Sequence, residues 1–217
     1  MKLFLSSAGL TNSSLIKAFE ELVDIKSDKI KIAFIPTAAN VEEGDKDWLI
    51  NDYSNLKKQD YWVDIVDISS LPQDVWLPRL KEANAIFVGG GNTFYLMSWI
   101  NKSGLLKVLP DLLKNRVYAG ISAGSIVATI NLRLSNSQKT YSEKVFPLVN
   151  DNGLGFVNFH VRPHLNSELF PNVRAEYIKK LATNIPEPIY AIDDNTAIIV
   201  NNDKIEIVTE GKWEKFN

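Results

Sequence analysis

The sequence predicts an α/β fold built on a mostly parallel sheet flanked by helices. Short β-rich runs alternate with longer stretches patterned for helix, and strand then helix, repeated, implies parallel strands joined by crossovers. Several runs are almost wholly apolar, Ile86-Phe87-Val88 most clearly, as burial on both faces of a sheet requires. Glycine-rich loops directly follow two of the runs, at the carboxyl ends of strands, where the crevice of an open parallel sheet binds ligands.

Taken in order, strands are expected over 2–6, 31–35, 61–66, 85–88 and 116–121, with helices over 13–23, 47–58, 74–82, 93–101 and 105–115 between them. A further helix is expected from Ala123 through Ile130. The pattern then changes. Residues 131–152 are polar and irregular, 153–161 look extended, 173–183 helical and 188–208 β-rich. Asn201-Asn202-Asp203 reads as the turn of a hairpin between 197–200 and 205–208. The 217 residues suffice for one substantial core, and with no repeat or linker-like boundary the expectation is a single α/β domain over 1–217.

Composition narrows the function. Apolar residues at 45% and charged residues at 23% are ordinary globular values. A net charge of -2 and a pI near 5.8 provide no positive field for nucleic acid or anionic lipid, so neither is an expected partner. No apolar run approaches a membrane span and the N-terminal one is too short for a signal peptide, which makes a cytoplasmic protein the simplest reading. With no cysteine, disulfides, thiolate metal sites and a cysteine nucleophile are excluded, so covalent catalysis has to use oxygen or an amine. Five tryptophans and ten phenylalanines leave room for an apolar interface, and a homodimer is the expectation.

Gly120-Ile121-Ser122-Ala123-Gly124 has the form of a nucleophile elbow, a serine on a tight strand-to-helix turn between residues small enough to permit it. The turn exposes the hydroxyl and aims the Ala123 amide at charge developing on an attacked carbonyl. Gly89-Gly90-Gly91-Asn92-Thr93 offers further main-chain donors, and with neither a Walker lysine nor G-x-G-x-x-G spacing it is not read as a phosphate cradle. A serine needs a base, and the chain has two histidines, His160 and His164. In an extended segment they stand roughly 13 Å apart, too far to share a metal. Pro163 tends to close a strand, placing His164 at its mouth and His160 inside the sheet, so His164 is the expected base and His160 structural. The acid that would orient His164 is left open among Glu143, Asp193 and Asp194.

With the 89–94 loop, the 120–124 elbow and Arg162-Pro163-His164 in matching order, the chain resembles the peptidase E family of serine peptidases, over most of its length. The resemblance implies a class I glutamine amidotransferase-like (flavodoxin-like) three-layer sandwich, with Ser122 as nucleophile and His164 as base. It assigns the oxyanion hole to the amides of Ala123 and of Gly90 or Gly91, with Asn92 beside them at the substrate. Arg174 matches the arginine that holds the substrate's aspartate side chain in aspartyl dipeptidases, a role suited to a guanidinium fork. One departure stands out: the family's aspartate about fifteen residues past the nucleophile is absent from Ser135-Asn136-Ser137-Gln138-Lys139.

The expected function is therefore a serine exopeptidase that hydrolyses short peptides with an N-terminal aspartate through a Ser-His acyl-enzyme, with no cofactor and no metal. Asp193, Asp194 or Glu42 would receive the substrate's amino group. The alternative is a hydrolase for a different acyl substrate or a non-catalytic binding protein, for which the missing aspartate is the support.

Overall fold

The structure is a computed structural model that describes residues 1–135 and 144–217. Its centre is a seven-stranded sheet in the order β3-β2-β4-β5-β1-β8-β9, where β1 is Lys2–Ser6, β2 Lys31–Ile35, β3 Trp62–Ile65, β4 Ala85–Val88, β5 Val117–Ile121, β8 Thr196–Asn201 and β9 Lys204–Thr209. The strands from β3 to β1 pair in parallel, whereas β8 joins β1 and β9 joins β8 antiparallel. A second sheet of β6 (His160–Arg162), β7 (Ile189–Ile192) and β10 (Trp213–Phe216) runs β10-β7-β6, with β6 parallel to β7.

Alternation along the buried strands divides the core into two layers. Phe4, Ile32, Phe34, Ala85, Phe87 and Ala119 face one side, where α1 (Ser13–Val23) and α2 (Asp47–Lys57) cover them. Phe19 of α1 packs edge-on against Phe87, with ring centroids 5.1 Å apart. Leu3, Leu5, Ala33, Ile35, Ile86, Val88 and Tyr118 face the other side. There they meet α3 (Gln73–Glu82), α4 (Thr93–Lys102), α5 (Leu105–Leu112), α6 (Ala123–Val127) and α7 (Ala175–Ala182), together with apolar residues of the second sheet.

The apolar strands and the longer helices fall close to their sequence-based ranges. Three differences have physical causes. The helix after Ser122 ends at Val127, three residues short of Ile130, with Thr129 Oγ1 donating to the carbonyl oxygens of Ile126 and Asn131 at its end. Within 153–161 only His160 and Val161 are strand. The amides of Gly153, Leu154, Gly155 and Phe156 instead bond carbonyls of residues 127–130, which folds that segment back beneath α6. The polar strand β10, unread in the sequence, forms because β7 offers it an edge.

Candidate active site

The site lies at the carboxyl ends of the parallel strands. β5 delivers Ser122 in a backbone conformation few L residues adopt (φ 48°, ψ -107°). Both flanking glycines are demanded by close approach. A Cβ at Gly120 would stand 2.5 Å from the Ser125 amide nitrogen, and one at Gly124 would stand 2.0 Å from the Val88 carbonyl oxygen. The turn is held to β1, where the Ser6 carbonyl oxygen accepts from the Ser122 amide (3.1 Å) and from Ser125 Oγ (2.7 Å). Tyr118 Oη donates to the Gly124 carbonyl oxygen from beneath (2.7 Å).

His164 follows β6 and Pro163, also with positive φ (64°). Its Nε2 is 2.9 Å from Ser122 Oγ and its Nδ1 is 2.6 Å from Asp194 Oδ1. An ionised Asp194 accepts from Nδ1–H, which leaves Nε2 as the acceptor for the serine hydroxyl. Burial pushes Asp194 up, yet the hydrogen bond from His164, the charge of that ring and the hydrogen bond from Ser7 together hold it below its ordinary value. Ser7 clasps the pair: its Oγ accepts from the His164 amide (2.8 Å) and donates to Asp194 Oδ1 (2.6 Å). Phe170 stacks on the imidazole, with centroids 4.4 Å apart and planes 18° apart.

Of the three acids left open by the sequence, Asp194 reaches His164. Asp193 is turned the other way, accepting from the Asn195 amide, Thr196 Oγ1 and the Lys212 amide, and Glu143 lies outside the described residues. The third member of the constellation is thus supplied from the end of β7 rather than from the segment after the nucleophile. His160 sits buried in β6 with Nε2 3.6 Å from Glu187 Oε2. Burial lowers its pKa, Glu187 opposes that, and Arg162 and Arg133 add to the lowering.

Gly90, Gly91, Ser122 and His164 line one cavity of about 320 Å³, together with Glu42, Trp48 and Asp52. The neighbouring amides are pinned, Gly89 to the Ile35 carbonyl oxygen and Asn92 to that of Ala38. The N–H groups of Gly90, Gly91 and Ala123 take no acceptor among the described residues, so three main-chain donors stand near the serine.

One expected substrate contact is corrected and a second is placed. Asn92 is buried and caps α4: its Oδ1 accepts from the Tyr95 amide and its Nδ2 donates to the Lys144 carbonyl oxygen, which leaves it a structural residue. Arg174, at the N-terminus of α7, is outside the cavity lining, and its Nη1 donates to the carbonyl oxygens of Ser167, Phe170 and Val173. It braces the loop that carries Phe170. Ser7, Trp48 and Asp52 were not singled out in the sequence, where nothing marks a serine after the first strand or an acid on an amphipathic helix.

The model of peptidase family S51 matches residues 3–208. An uncharacterised peptidase of Pasteurella multocida is 29% identical over 205 residues, covering 93% of this chain and 94% of its own. A peptidase E of Shewanella denitrificans is 26% identical, covering 95% of this chain and 86% of its own. A crystal structure of a candidate peptidase E from Listeria monocytogenes superposes with a TM-score of 0.79 at 25% identity, over 97% of this chain and 98% of that one. The architecture is that of the class I glutamine amidotransferase-like fold.

Proposed function

The chain belongs to peptidase family S51 and is a serine-type peptidase; on that premise we propose that it acts as an exopeptidase on short peptides, through an acyl-enzyme formed on Ser122. The observation that carries this is the unbroken chain of contacts from Ser122 Oγ through His164 to Asp194, opening on a cavity with unengaged main-chain amides. Its volume is at the lower end for small-molecule sites, which suits a di- or tripeptide better than a long chain.

In this reading Ser122 attacks the scissile carbonyl while His164 Nε2 takes its proton. Asp194 stabilises the imidazolium that forms, and the amides of Ala123 and of Gly90 or Gly91 donate to the oxyanion. His164 then hands the proton to the leaving amine, and water, activated by the same base, releases the acyl group. The carboxylate beside His164 removes the support for a non-catalytic binding protein. A fluorophosphonate probe is expected to label the wild type and spare Ser122→Ala; equal labelling of both would end this reading.

An N-terminal aspartate is the finer form of the proposal. It is supported by the match of Arg174 to the family's arginine and requires that side chain to release loop carbonyls on binding. Cleavage of Asp-Leu that Arg174→Ala abolishes, with cleavage of Ala-Leu unchanged, is the result expected if it holds; equal loss on both substrates counts against it.

A further inference from the structure

We infer that the cavity selects peptides with a free N-terminal ammonium, and that Asp52 is the residue that receives it. This rests on the exopeptidase reading and assigns the group by which the site recognises a peptide's free amino end.

Asp52 comes from α2, far in sequence from Ser122, yet both side chains line the same cavity. Its Oδ1 lies 3.9 Å from where a Cβ on Gly9 would stand, a point that is 3.2 Å from the side chain of Ile121, the residue before the nucleophile. Three other acids of the described residues are engaged. Asp194 takes His164 and Ser7, Asp193 takes Asn195 and Thr196, and Asp67 takes Thr37, Asn40 and Ser69. Among the described residues Asp52 has no hydrogen-bond or ion-pair partner. A carboxylate kept in an apolar recess without a cation is unfavourable unless something arrives to pair with it. Burial first, and the charge of Asp194 second, push its pKa up to about 7.

The remaining wall suits a cation. Glu42, Asp52 and Asp194 all line the cavity, and among the described residues no lysine or arginine does. Trp48, Leu169 and Phe170 supply apolar surface around them. An ammonium there meets its complement in charge. Acetylating the N-terminus removes the positive charge and leaves Asp52 unpaired beside a bound amide.

The test is steady-state kinetics on Asp-Leu, Leu-Leu and their N-acetyl forms, with fluorophosphonate labelling run in parallel, for the wild type and Asp52→Asn. The wild type is expected to favour a free dipeptide it cleaves by about 10- to 100-fold in kcat/KM over the N-acetyl form, the range a buried unpaired polar group commands. Asp52→Asn is expected to raise KM for the better of the two free dipeptides about tenfold, keep kcat within about threefold, and narrow the gap to its N-acetyl form. Labelling of the variant at the wild-type rate reports an intact fold and nucleophile. An N-acetyl form cleaved as fast as its free dipeptide overturns the inference, as does an unchanged KM in Asp52→Asn, or cleavage of neither free dipeptide by a protein that still labels. Loss of both labelling and cleavage in the wild type removes the exopeptidase reading itself.

Discussion

Ser122 and His164 meet at 2.9 Å, but the two sides of that contact are held by different means. The serine is fixed by main chain: a fully buried strand, a strained turn, and two glycines against which neighbouring backbone atoms stand closer than any side chain permits. The histidine leaves a three-residue strand and is fixed by side chains, with Ser7 at its amide, Asp194 at Nδ1 and Phe170 against its ring. Steric exclusion fails through the fold, because a clash has to be relieved by moving strands. Hydrogen bonds fail through the rate, because a mis-set ring still lets the chain fold.

The largest effect should come from the histidine side. Asp194→Asn is expected to lower kcat by about 10³- to 10⁴-fold, as an amide favours the wrong imidazole tautomer, with far-UV circular dichroism unchanged. A kcat within tenfold of wild type would mean that main-chain geometry orients the ring without help. On the serine side, Gly124→Ala is expected to destabilise by about 3 kcal/mol or more in urea unfolding, since the added methyl meets the Val88 carbonyl oxygen. Wild-type stability in that variant would erase the contrast between the two arms.

The smallest effect belongs to neither arm. Asp52 has a folded-state pKa near 7 against about 3.9 in the unfolded chain, so the folded form binds its proton more readily. Its penalty is absent below about pH 4, grows as pH rises toward 7 and is complete above that. Asp52→Asn should therefore be more stable than wild type at pH 8 by about 1–2 kcal/mol, solvent reaching the partly exposed carboxyl keeping the figure low, and indistinguishable near pH 4. Thermal unfolding at the two pH values checks the sign. No gain at pH 8 would mean that the carboxylate is already well solvated.

What was legible in the sequence follows the same division. The apolar strands β1, β2 and β4 and the amphipathic α1 could be bounded from their own residues, because each is specified by a local period. The elbow was readable for a similar reason: Gly120 and Gly124 are demanded within five residues of one another. Pro163 distinguished the two histidines. Asp194 could be named only as one of three, because pairing β6 with β7 is what carries it to His164, and that register joins residues twenty-nine apart. Ser7 had no local mark at all. Asn92 was misread although a signal existed, since an asparagine directly before a helix is a capping residue first.

Histidine and aspartate leave neighbouring parallel strands of the small sheet, while Ser122 and Ser7 leave the large one. A tilt of the small sheet would lengthen the reach from imidazole to hydroxyl without disturbing the 2.6 Å bond between imidazole and carboxylate. Substitutions in the packing between the sheets can therefore retune how readily the nucleophile is armed while its base keeps the correct tautomer. The Ser7 hydroxyl, which bonds across that seam to both partners, sets how far such tuning can go.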